Sequence, residues 1–498
     1  MGKIKKDETI KYIWYGAIFI FMFVWFSKIH PLVPFDGDDW GHLSFARRAV
    51  PELTLWNPAK LFPEIFMSFV SSIAAYTIAP IMGNYVLSIT LMSALVTSGF
   101  IAIYIYSLGS CLRRIFKISL HQSIIIEILF LILHFLIFRQ GDSDNTYLFY
   151  CVDLNCYYNY LMPALMNASL VLFMIKNEEF DKFLKNGNGI VKGLLLVAVY
   201  FAVFSNLVDS VILSVYAGCM IIISLVDLLK KKHTWIEFLR KNWLYLAILL
   251  FWIISAICEL SGGRAALAEE HTGAFVKSIV AVMQGLITVI TWMHKMFILV
   301  AGVLALTAFV LCFFEKNKEE IKKTFVSQII FWSIMATLTM IYTIIICAKV
   351  SVGNIYRSEY LFALFFFVLV ILMFCLAYTL SKIPQIMVCL PLALCILITY
   401  VNTNLHTFKE SNYLNVSGKL CMQMTEDLVN EVIDADLKGA SSIELKVSSS
   451  GHDANWPQSY AMGESMAITL YKHGVVSRMI DITIAPSEEY NDKYQIYQ

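Results

Sequence analysis

Twelve apolar runs, most of them close to membrane length, fill the chain before residue 402. A helix needs about 20 apolar residues to cross a hydrocarbon core that is about 30 Å thick. Of the 498 residues, 58% are hydrophobic and 15% charged, whereas soluble domains hold about 45–50% apolar and about 25% charged residues. The sequence therefore predicts an α-helical polytopic membrane protein. The runs are residues 12–29, 61–81, 84–108, 119–138, 156–175, 189–207, 209–229, 243–260, 296–314, 324–347, 359–380 and 386–401.

The distribution of basic residues tests this count, because Lys and Arg collect in short cytoplasmic loops. If residues 61–81 do not cross the membrane, 21 Lys and Arg residues lie in cytoplasmic segments and 10 in outer loops. If they do cross, nearly all the strong basic clusters face outward. We therefore expect about eleven transmembrane helices in the cell membrane, with a cytoplasmic N-terminus and an extracytoplasmic C-terminus. Residues 61–81 become a helix at the outer leaflet, and the apolar segment 275–293 need not cross either.

The composition changes near residue 402. The last 97 residues contain seven Lys or Arg and thirteen Asp or Glu, with no run of membrane length. Their patterns predict a helix at EDLVNEVIDADL, a strand at SSIELKVSS, a helix at SYAMGESMAITLYKHG and a strand at RMIDITIAP. We expect a transmembrane domain over 1–401, whose first outer loop and surface helix occupy 30–83, and a small extracytoplasmic α/β domain over 402–498.

The first outer loop, PFDGDDWGHLSFARR, holds three carboxylates within four residues. Their mutual repulsion raises at least one pKa and suits Asp38 or Asp39 to proton transfer. Asp38 and His42 are four residues apart, so they share one face of a helix that starts here. The alternative is that one Asp caps this helix and the others are solvated.

The second outer loop contains the sequence VDLNCYYNYLMP, which starts the next helix. Asp153, Asn155, Tyr158 and Asn159 fit a sugar site, because rings stack on apolar sugar faces while carboxylates and amides bind hydroxyls. Asp209, in the turn SNLVDS, adds a carboxylate at the same outer face. An ordinary belt of aromatic residues at the membrane interface is the alternative reading of the tyrosines.

Four further ionisable residues stand out. Arg264 and Arg357 lie in outer loops, where an arginine can bind a lipid phosphate through two hydrogen bonds; arginines also extend to this interface for structural reasons. Glu127 and His134 lie seven residues apart on one face of the third predicted span, either as functional groups or as polar partners within the bundle.

Several classes of function are excluded or left without a motif. A formal net charge of +1 argues against a nucleic-acid partner. The sequence has no zinc motif, P-loop or dinucleotide fingerprint. We therefore expect no cofactor, apart from a divalent cation that Asp38 and Asp39 leave open as an option. Cys151 and Cys156 are spaced so that they can pair outside the cell, although eleven cysteines in so long a chain do not make a disulfide scaffold.

Three segments resemble the GT-C superfamily of membrane glycosyltransferases, and most closely the bacterial GtrII-type glucosyltransferases and related uncharacterised families. They are DGDDW in the first outer loop, YYNYLMP at the fourth predicted span and GNIYRSEY before the tenth. The resemblance implies transfer of a hexose, with inversion, from a polyprenyl-phosphate sugar to an acceptor hydroxyl outside the cell. It implies Asp38 or Asp39 as the base and Arg357, with Arg264, as the phosphate ligands.

The expected partners are a polyprenyl-phosphate sugar, membrane lipid, and an acceptor that is a surface glycan, a teichoic acid or a lipid-linked saccharide. His42, Asp153, Asn155, Tyr158, Asn159 and Asp209 are the expected sugar or acceptor ligands. Two alternatives remain, namely an oligosaccharide polymerase or ligase that uses diphosphate-linked donors, and a transporter or flippase of lipid-linked saccharides. The segment GHDANWPQSYAMGES contacts an acceptor glycan or forms a turn around a buried tryptophan.

Overall fold

Long apolar helices make up most of the computed structural model. It describes residues 2–44, 60–138, 146–176, 188–230, 234–260, 275–315, 319–402, 408–449 and 457–496. The helices are α1 Gly2–Val24, α2 Gly37–Ser44, α3 Leu61–Ile73, α4 Ala79–Met82, α5 Tyr85–Phe116, α6 Leu120–Leu136, α7 Leu154–Cys156, α8 Met162–Lys176, α9 Gly189–Val203, α10 Leu207–Leu229, α11 Trp235–Leu260, α12 Phe275–Trp292, α13 Lys295–Phe314, α14 Glu319–Val350, α15 Ser358–Leu380, α16 Gln385–Asn402, α17 Gly418–Leu437, α18 Tyr460–Lys472 and α19 Glu488–Tyr494. π-helical turns extend α1 over Trp25–Ile29, join α3 to α4 over Ala74–Ile78 and join α7 to α8 over Tyr157–Leu161, and a 3₁₀ turn covers Val352–Tyr356.

Within the described part of the chain, ten helical segments are long and apolar enough to cross a membrane. Three shorter apolar helices, Leu120–Leu136, Gly189–Val203 and Gln385–Ile398, accompany them. The expectation of an α-helical polytopic membrane protein is thereby confirmed. The ten segments are Asp7–Ile29, Leu61–Met82, Tyr85–Phe116, Leu154–Ile175, Leu207–Leu229, Trp235–Glu259, Phe275–Trp292, Lys295–Phe314, Glu320–Val350 and Ser358–Leu380.

The two ends of the helix bundle differ in chemistry. Near the start of α1, the hydroxyl of Tyr15 accepts a hydrogen bond from Arg113 of α5 at 3.5 Å. At the far end of α1, the His30 ring lies 3.1 Å from the Glu410 carboxylate. Asp36, Asp38 and Asp39 follow a few residues after His30. We therefore call this second end the acidic end and the first the basic end.

Side-chain caps begin several of these helices. The Asn84 side chain accepts a hydrogen bond from the Leu87 backbone at the start of α5, and Asn206 accepts one from Val208 at the start of α10. Ser119 and Gln122 form a reciprocal capping box at the start of α6. Such caps satisfy backbone N–H groups that have no partner within the helix.

The segment Leu61–Met82 begins and finishes at the acidic end. The backbone N–H of Phe62 donates to the carbonyl of Phe204, in the turn that precedes α10. Further along, Ser71 donates to the carbonyl of Leu43, and the Tyr76 hydroxyl donates to the carbonyl of Lys472. The segment therefore contacts the first outer loop at Leu43 and the last residue of α18, Lys472.

Helix α12 packs against the 3₁₀ turn of the acidic end in a similar way. The Trp292 and Tyr356 ring centroids are 5.3 Å apart. Gly285 approaches so closely that a Cβ there would lie 2.6 Å from the Ile355 side chain. The next residue after the helix, Met293, forms an isolated bridge with Phe138.

Glu127 and His134 are fully buried, and both are bonded within the bundle. The indole of Trp14 donates to Glu127 at 2.8 Å, and Ser123 donates to it at 2.5 Å. The His134 ring lies 2.7 Å from the Phe130 carbonyl and 3.3 Å from the Tyr104 hydroxyl. These contacts favour the interpretation of both residues as polar partners within the bundle.

The last part of the chain contains the predicted helices and strands. Strands β1 Ser442–Ser448 and β2 Asp481–Ser487 pair in parallel, with Ser442 opposite Asp481. Parallel strands need a crossover, and α18 supplies it while packing on the sheet. We call residues 408–449 and 457–496 the C-terminal unit.

The C-terminal unit is joined to the first outer loop and to the start of α5. The backbone N–H of Gly37 donates to the Pro457 carbonyl at 3.0 Å, and Thr469 donates to the Trp40 carbonyl at 3.0 Å. Beside them, the Tyr85 hydroxyl lies 2.8 Å from His473. Loop one, α5 and the C-terminal unit thus form one packed assembly at the acidic end.

The close approach of α18 to β2 gives a test of this packing. A methyl group at Gly463 would overlap the carbonyl oxygen of Ile482, which is backbone and cannot swing aside. Gly463→Ala should therefore destabilise the C-terminal unit by about 1–3 kcal/mol. Hydrogen exchange of the β1 and β2 peptides in the full chain measures this effect.

Gly41→Ala is the matched control, since the nearest atom to a Cβ there is Ser465 Oγ at 3.8 Å, an ordinary contact. It should leave the exchange of the same peptides unchanged. Equal protection in both variants would contradict the described packing of α18 on β2.

Candidate active site

Asp39 fastens the first outer loop to the second. Its Oδ2 accepts hydrogen bonds from the backbone N–H groups of Phe35 at 2.9 Å and Asp36 at 3.1 Å. Its Oδ1 accepts one from the backbone of Asn155 at 2.7 Å. The residue is fully buried, and burial raises the pKa of its carboxyl group, as does nearby Asp153, against the lowering effect of these N–H groups. These bonds favour a positioning role for Asp39 and leave Asp38 as the more accessible of the two carboxylates expected as the base.

Asp38 is the exposed carboxylate of the first outer loop. It occupies the first turn of α2, where a negative charge is favourable because of the helix dipole. No hydrogen bond within the described part of the chain occupies its carboxylate, which faces solvent. His42, predicted to share its helix face, is half-buried.

Asp36 differs from both of its neighbours. It is fully buried, and neither carboxylate oxygen has a hydrogen-bond partner within the described residues. Burial raises the pKa of this carboxyl group, and the charges of Asp39 and Asp153 raise it further, while the backbone N–H of Tyr413 opposes the rise. Since an isolated buried charge is costly, these surroundings favour the protonated form of Asp36.

Loop two supplies a second buried carboxyl group. Asp153 caps the start of α7 by accepting a hydrogen bond from the Cys156 backbone at 2.6 Å. Burial raises the pKa of Asp153 to about 6, against the lowering effects of this hydrogen bond and of Arg357; Asp38 contributes a further rise. The influence of both Asp38 and Arg357 places Asp153 between the first outer loop and the turn before α15.

Amide side chains continue from Asp153 towards α10. Asn159 donates to Asn155 Oδ1 at 2.5 Å, and Asn206 donates to the Asn159 carbonyl at 3.0 Å. Tyr158 points elsewhere, because its hydroxyl lies 3.1 Å from Ser93 Oγ within the bundle and its ring is 1% exposed. Tyr158 therefore packs between helices in this structure, and its contact with a sugar stays a prediction.

Arg357 lies beside loop two, and part of its side chain is exposed to solvent. Nη2 donates to Glu359 Oε1 at 3.0 Å and to Cys156 Sγ at 3.4 Å. The charge lies over the rings of Tyr160 and Tyr360, 5.4 and 5.7 Å from their centroids. Burial opposes its charge, but the Glu359 carboxylate keeps the pKa of Arg357 above its usual range.

The rest of this guanidinium can still bind an anion. Nε and Nη1 have no hydrogen-bond partner among the residues that the structure describes, and the side chain is 32% exposed. An arginine held on one edge and open on the other presents a fork of N–H donors to a phosphate oxygen.

Asp209 is a second unpartnered acid. It lies in the first turn of α10, it is fully buried, and neither oxygen has a partner within the described chain. Its charge interacts with that of Glu359, the partner of Arg357. The predicted Asp209 therefore belongs to the same cluster, although it is closed to solvent in this conformation.

The acidic end thus gathers residues from five distant segments, in the order in which they occur in the chain: Asp36, Asp38, Asp39, Asp153, Asn155, Asn159, Asn206, Asp209, Arg357, Glu359 and Tyr413. Exposure separates their possible tasks. Asp38, Arg357 and Tyr413 reach solvent, while the carboxyl groups beneath them are buried.

Sequence patterns missed three contributors to this cluster. Tyr160 and Tyr360 hold Arg357, and Tyr413 comes from the C-terminal unit. Tyr160 lies in the segment YYNYLMP and Tyr360 three residues after Arg357, so their positions in the sequence could have indicated them. Tyr413 has no such signal, because only the folded chain brings it to the site.

Some expected ligands lie outside the described residues. They are Arg264, and the glycan-contact candidates His452, Asp453, Asn455 and Trp456. Cys151 and Cys156 are free thiols, so the expected disulfide between them is absent; instead, Cys156 Sγ accepts a hydrogen bond from Arg357.

The described residues contain no group of three or more His, Cys, Asp or Glu side chains placed to hold a metal ion. Asp38 and Asp39 also differ in their surroundings. Asp38 faces solvent, and both oxygens of Asp39 are occupied by backbone N–H groups.

No family model, curated protein or solved structure matches this chain. The resemblance to membrane glycosyltransferases continues to rest on the segments DGDDW, YYNYLMP and GNIYRSEY. Each of these three segments supplies residues to the cluster at the acidic end.

The different tasks of the two neighbouring aspartates can be separated by isosteric variants. In Asp39→Asn, the amide NH₂ must face at least one of the backbone N–H donors, whichever way the side chain is turned. We expect a loss of about 2–4 kcal/mol in the free energy of unfolding. Asp38→Asn, the matched control on an exposed side chain, should change it by no more than about 0.5 kcal/mol. Thermal unfolding of the detergent-solubilised full chain compares them, and equal midpoints would contradict the assignment of Asp39.

The raised pKa of Asp153 gives a pH test. Because its folded-state pKa of about 6 exceeds the usual value of 3.8, the protonated form stabilises the fold. That contribution is complete below about pH 4 and is lost as the pH rises through about 6. Asp153→Asn keeps the cap and removes the titration. Its stability relative to wild type should therefore rise by up to about 3 kcal/mol between pH 4 and pH 8.

Thermal midpoints over this pH range measure the difference. Asp481→Asn, at an exposed position on β2, is the control and should follow the wild type at every pH. A constant difference between Asp153→Asn and wild type would show that Asp153 does not titrate in this range.

Proposed function

We propose that this protein is a GT-C-like membrane glycosyltransferase, which moves a hexose from a polyprenyl-phosphate donor to an acceptor hydroxyl at the outer face of the membrane. The observation that carries the proposal is that an exposed carboxylate, Asp38, and a partly open guanidinium, Arg357, both act on the same buried residue, Asp153. A base and an anion site at one end of an apolar bundle are what transfer from a lipid phosphate requires.

The proposed membrane topology has eleven crossings, with the acidic end outside. Of the ten helices that qualify by length, Leu61–Met82 and Phe275–Trp292 keep their described contacts at the acidic end. Replacing these two by the three shorter apolar helices gives eleven. The basic residues favour the same orientation, with a cytoplasmic N-terminus and an extracytoplasmic C-terminal α/β domain.

In the proposed reaction, Arg357 binds the donor phosphate through Nε and Nη1. The Asp38 carboxylate takes the proton of the acceptor hydroxyl, and the acceptor oxygen bonds to the anomeric carbon of the sugar. The bond from that carbon to the phosphate oxygen breaks, and its electron pair leaves with the phosphate. Arg357 stabilises the charge that develops there, and attack opposite to the leaving group inverts the anomeric centre.

The remaining residues bind and position in this proposal. Glu359 and the rings of Tyr160 and Tyr360 hold the guanidinium, so that its free edge has a fixed direction. Asp153, Asn155 and Asn159 form the wall between base and phosphate and bind sugar hydroxyls. Asp209 and His42 remain candidate acceptor ligands, and Arg264 a second phosphate ligand.

The acceptor class in this proposal is a surface glycan, a teichoic acid or a lipid-linked saccharide. A polymerase or ligase that uses diphosphate-linked oligosaccharides would also use Arg357 to bind the donor. It differs because it transfers a chain of several sugars in one step. The length of the product therefore separates the two enzymes.

Variants of the two exposed groups test the chemistry. Asp38→Asn should lower the transfer of labelled hexose from polyprenyl-phosphate glucose by about 100-fold or more, because it removes the general base. Arg357→Ala should lower it by about 100-fold, and Arg357→Lys should recover only part of this loss, since lysine lacks the fork of N–H donors. Membranes that contain each full-length variant provide the assay.

Asp481→Asn serves as control, because it removes an exposed carboxylate of the C-terminal unit at a distance from Arg357. Full transfer by Asp38→Asn would exclude Asp38 as the base. Transfer of long oligosaccharides by the wild type would favour the polymerase or ligase.

A further inference from the structure

A tight turn over residues 410–416 brings one tyrosine of the C-terminal unit to the acidic cluster. Inside the turn, the Asn412 side chain bonds to both backbone groups of Val416, at 2.8 and 3.0 Å. The Asn415 side chain accepts from the Glu410 backbone at 2.9 Å, and Asn415 itself has a left-handed φ of 53°. These bonds fix the backbone on both sides of Tyr413.

The turn is also clamped to the membrane part of the chain. Glu410 pairs with His30 at 3.1 Å, and its carbonyl accepts from the Tyr150 hydroxyl at 3.3 Å. The next residue, Ser411, lies 2.9 Å from the Tyr157 hydroxyl. Tyr413 therefore lies in a turn that is hydrogen-bonded to His30, just after α1, and to loop two.

Tyr413 lies among the charged groups of the cluster. Partial burial raises the pKa of its hydroxyl, Asp153 and Asp36 raise it further, and Arg357 lowers it. The hydroxyl therefore stays protonated at neutral pH, and the charges of both Arg357 and Asp36 act on it. The residue is 40% exposed, whereas four tyrosines of loop two are between 0 and 5% exposed: Tyr147, Tyr150, Tyr157 and Tyr158.

We propose that Tyr413 contacts the saccharide of the substrate, with its ring against the apolar face of the sugar and its hydroxyl towards the sugar hydroxyls. This inference rests on the proposed function and adds a wall to the same site. The fully buried carboxyl group of Asp36 lies next to the backbone N–H of Tyr413 and has no other partner among the described residues, so this tyrosine is the contact of the C-terminal unit with the acidic cluster. The C-terminal unit is then a part of the substrate site.

Thiol labelling of the full-length protein tests this contact without depending on catalysis. Tyr413→Cys should react readily with a maleimide, and polyprenyl-phosphate glucose should slow this reaction by about tenfold, more than polyprenyl phosphate alone does. Tyr471→Cys is the matched control, because Tyr471 is 47% exposed on the same unit; its labelling should not change. Peptide mapping distinguishes each new thiol from the eleven native cysteines. Adding Arg357→Ala to Tyr413→Cys should remove the protection.

Transfer kinetics give a second measurement. Tyr413→Ala should raise the KM for the saccharide substrate by about tenfold, the size expected for the loss of one ring contact, and Tyr413→Phe should retain most of the affinity. Protection by the sugar-bearing lipid without any transfer would uphold the Tyr413 contact and contradict the transferase. Transfer without protection, and with an unchanged KM in Tyr413→Ala, would overturn the Tyr413 contact and leave the transferase standing. Absence of both protection and transfer would overturn both.

Discussion

Three backbone N–H groups from two separate loops converge on one carboxylate, that of Asp39, and the geometry of the acidic end depends on this convergence. Hydrogen bonds to a carboxylate are about twice as strong as bonds between neutral groups. They also satisfy the backbone N–H groups of Phe35, Asp36 and Asn155, which are buried and would otherwise have no hydrogen-bond partner. Loop one and loop two are 116 residues apart in sequence, so this one side chain sets how Asp38 stands relative to Asp153.

The second constraint is the excess of buried acid. Five carboxyl side chains that are 4% exposed or less share this region with the arginine that bonds to Glu359, and they are Asp36, Asp39, Asp153, Asp209 and Glu359. Such a group cannot remain fully ionised out of water, because the mutual repulsion of like charges adds to the cost of burial. The raised pKa values of Asp36, Asp39 and Asp153 are the response. Of the five, Asp39 and Asp153 are compensated in part by backbone N–H groups, and Glu359 by Arg357.

The sequence predicted those features that depend on local pattern and on charge. Apolar runs found the helices, and the capping residues and alternations of the last 97 residues found α17, β1, α18 and β2, because each of these signals lies within its own element. The surroundings of Asp39 and Tyr158 could not be predicted, for one reason. Whether a polar side chain faces ligand or protein depends on contacts with distant residues, here Asn155 and Ser93. Tyr413 could not be found at all, since no spacing in the chain connects it to Arg357.

The three aspartates of loop one show how one short segment divides its tasks by burial. Asp36 and Asp39 are three residues apart, so both turn inward as α2 begins, while Asp38 turns outward. A carboxylate whose two oxygens accept hydrogen bonds from backbone N–H groups stabilises a loop, and those bonds make it a poor base. One that faces solvent can exchange a proton with a substrate, and it adds little to stability. The C-terminal unit closes over the same turn through Gly37 and Pro457, so the exposed position of Asp38 is itself a product of that packing. The positions of Asp38, of Arg357 and of Tyr413 therefore depend on the same packing, which the proposed reaction requires.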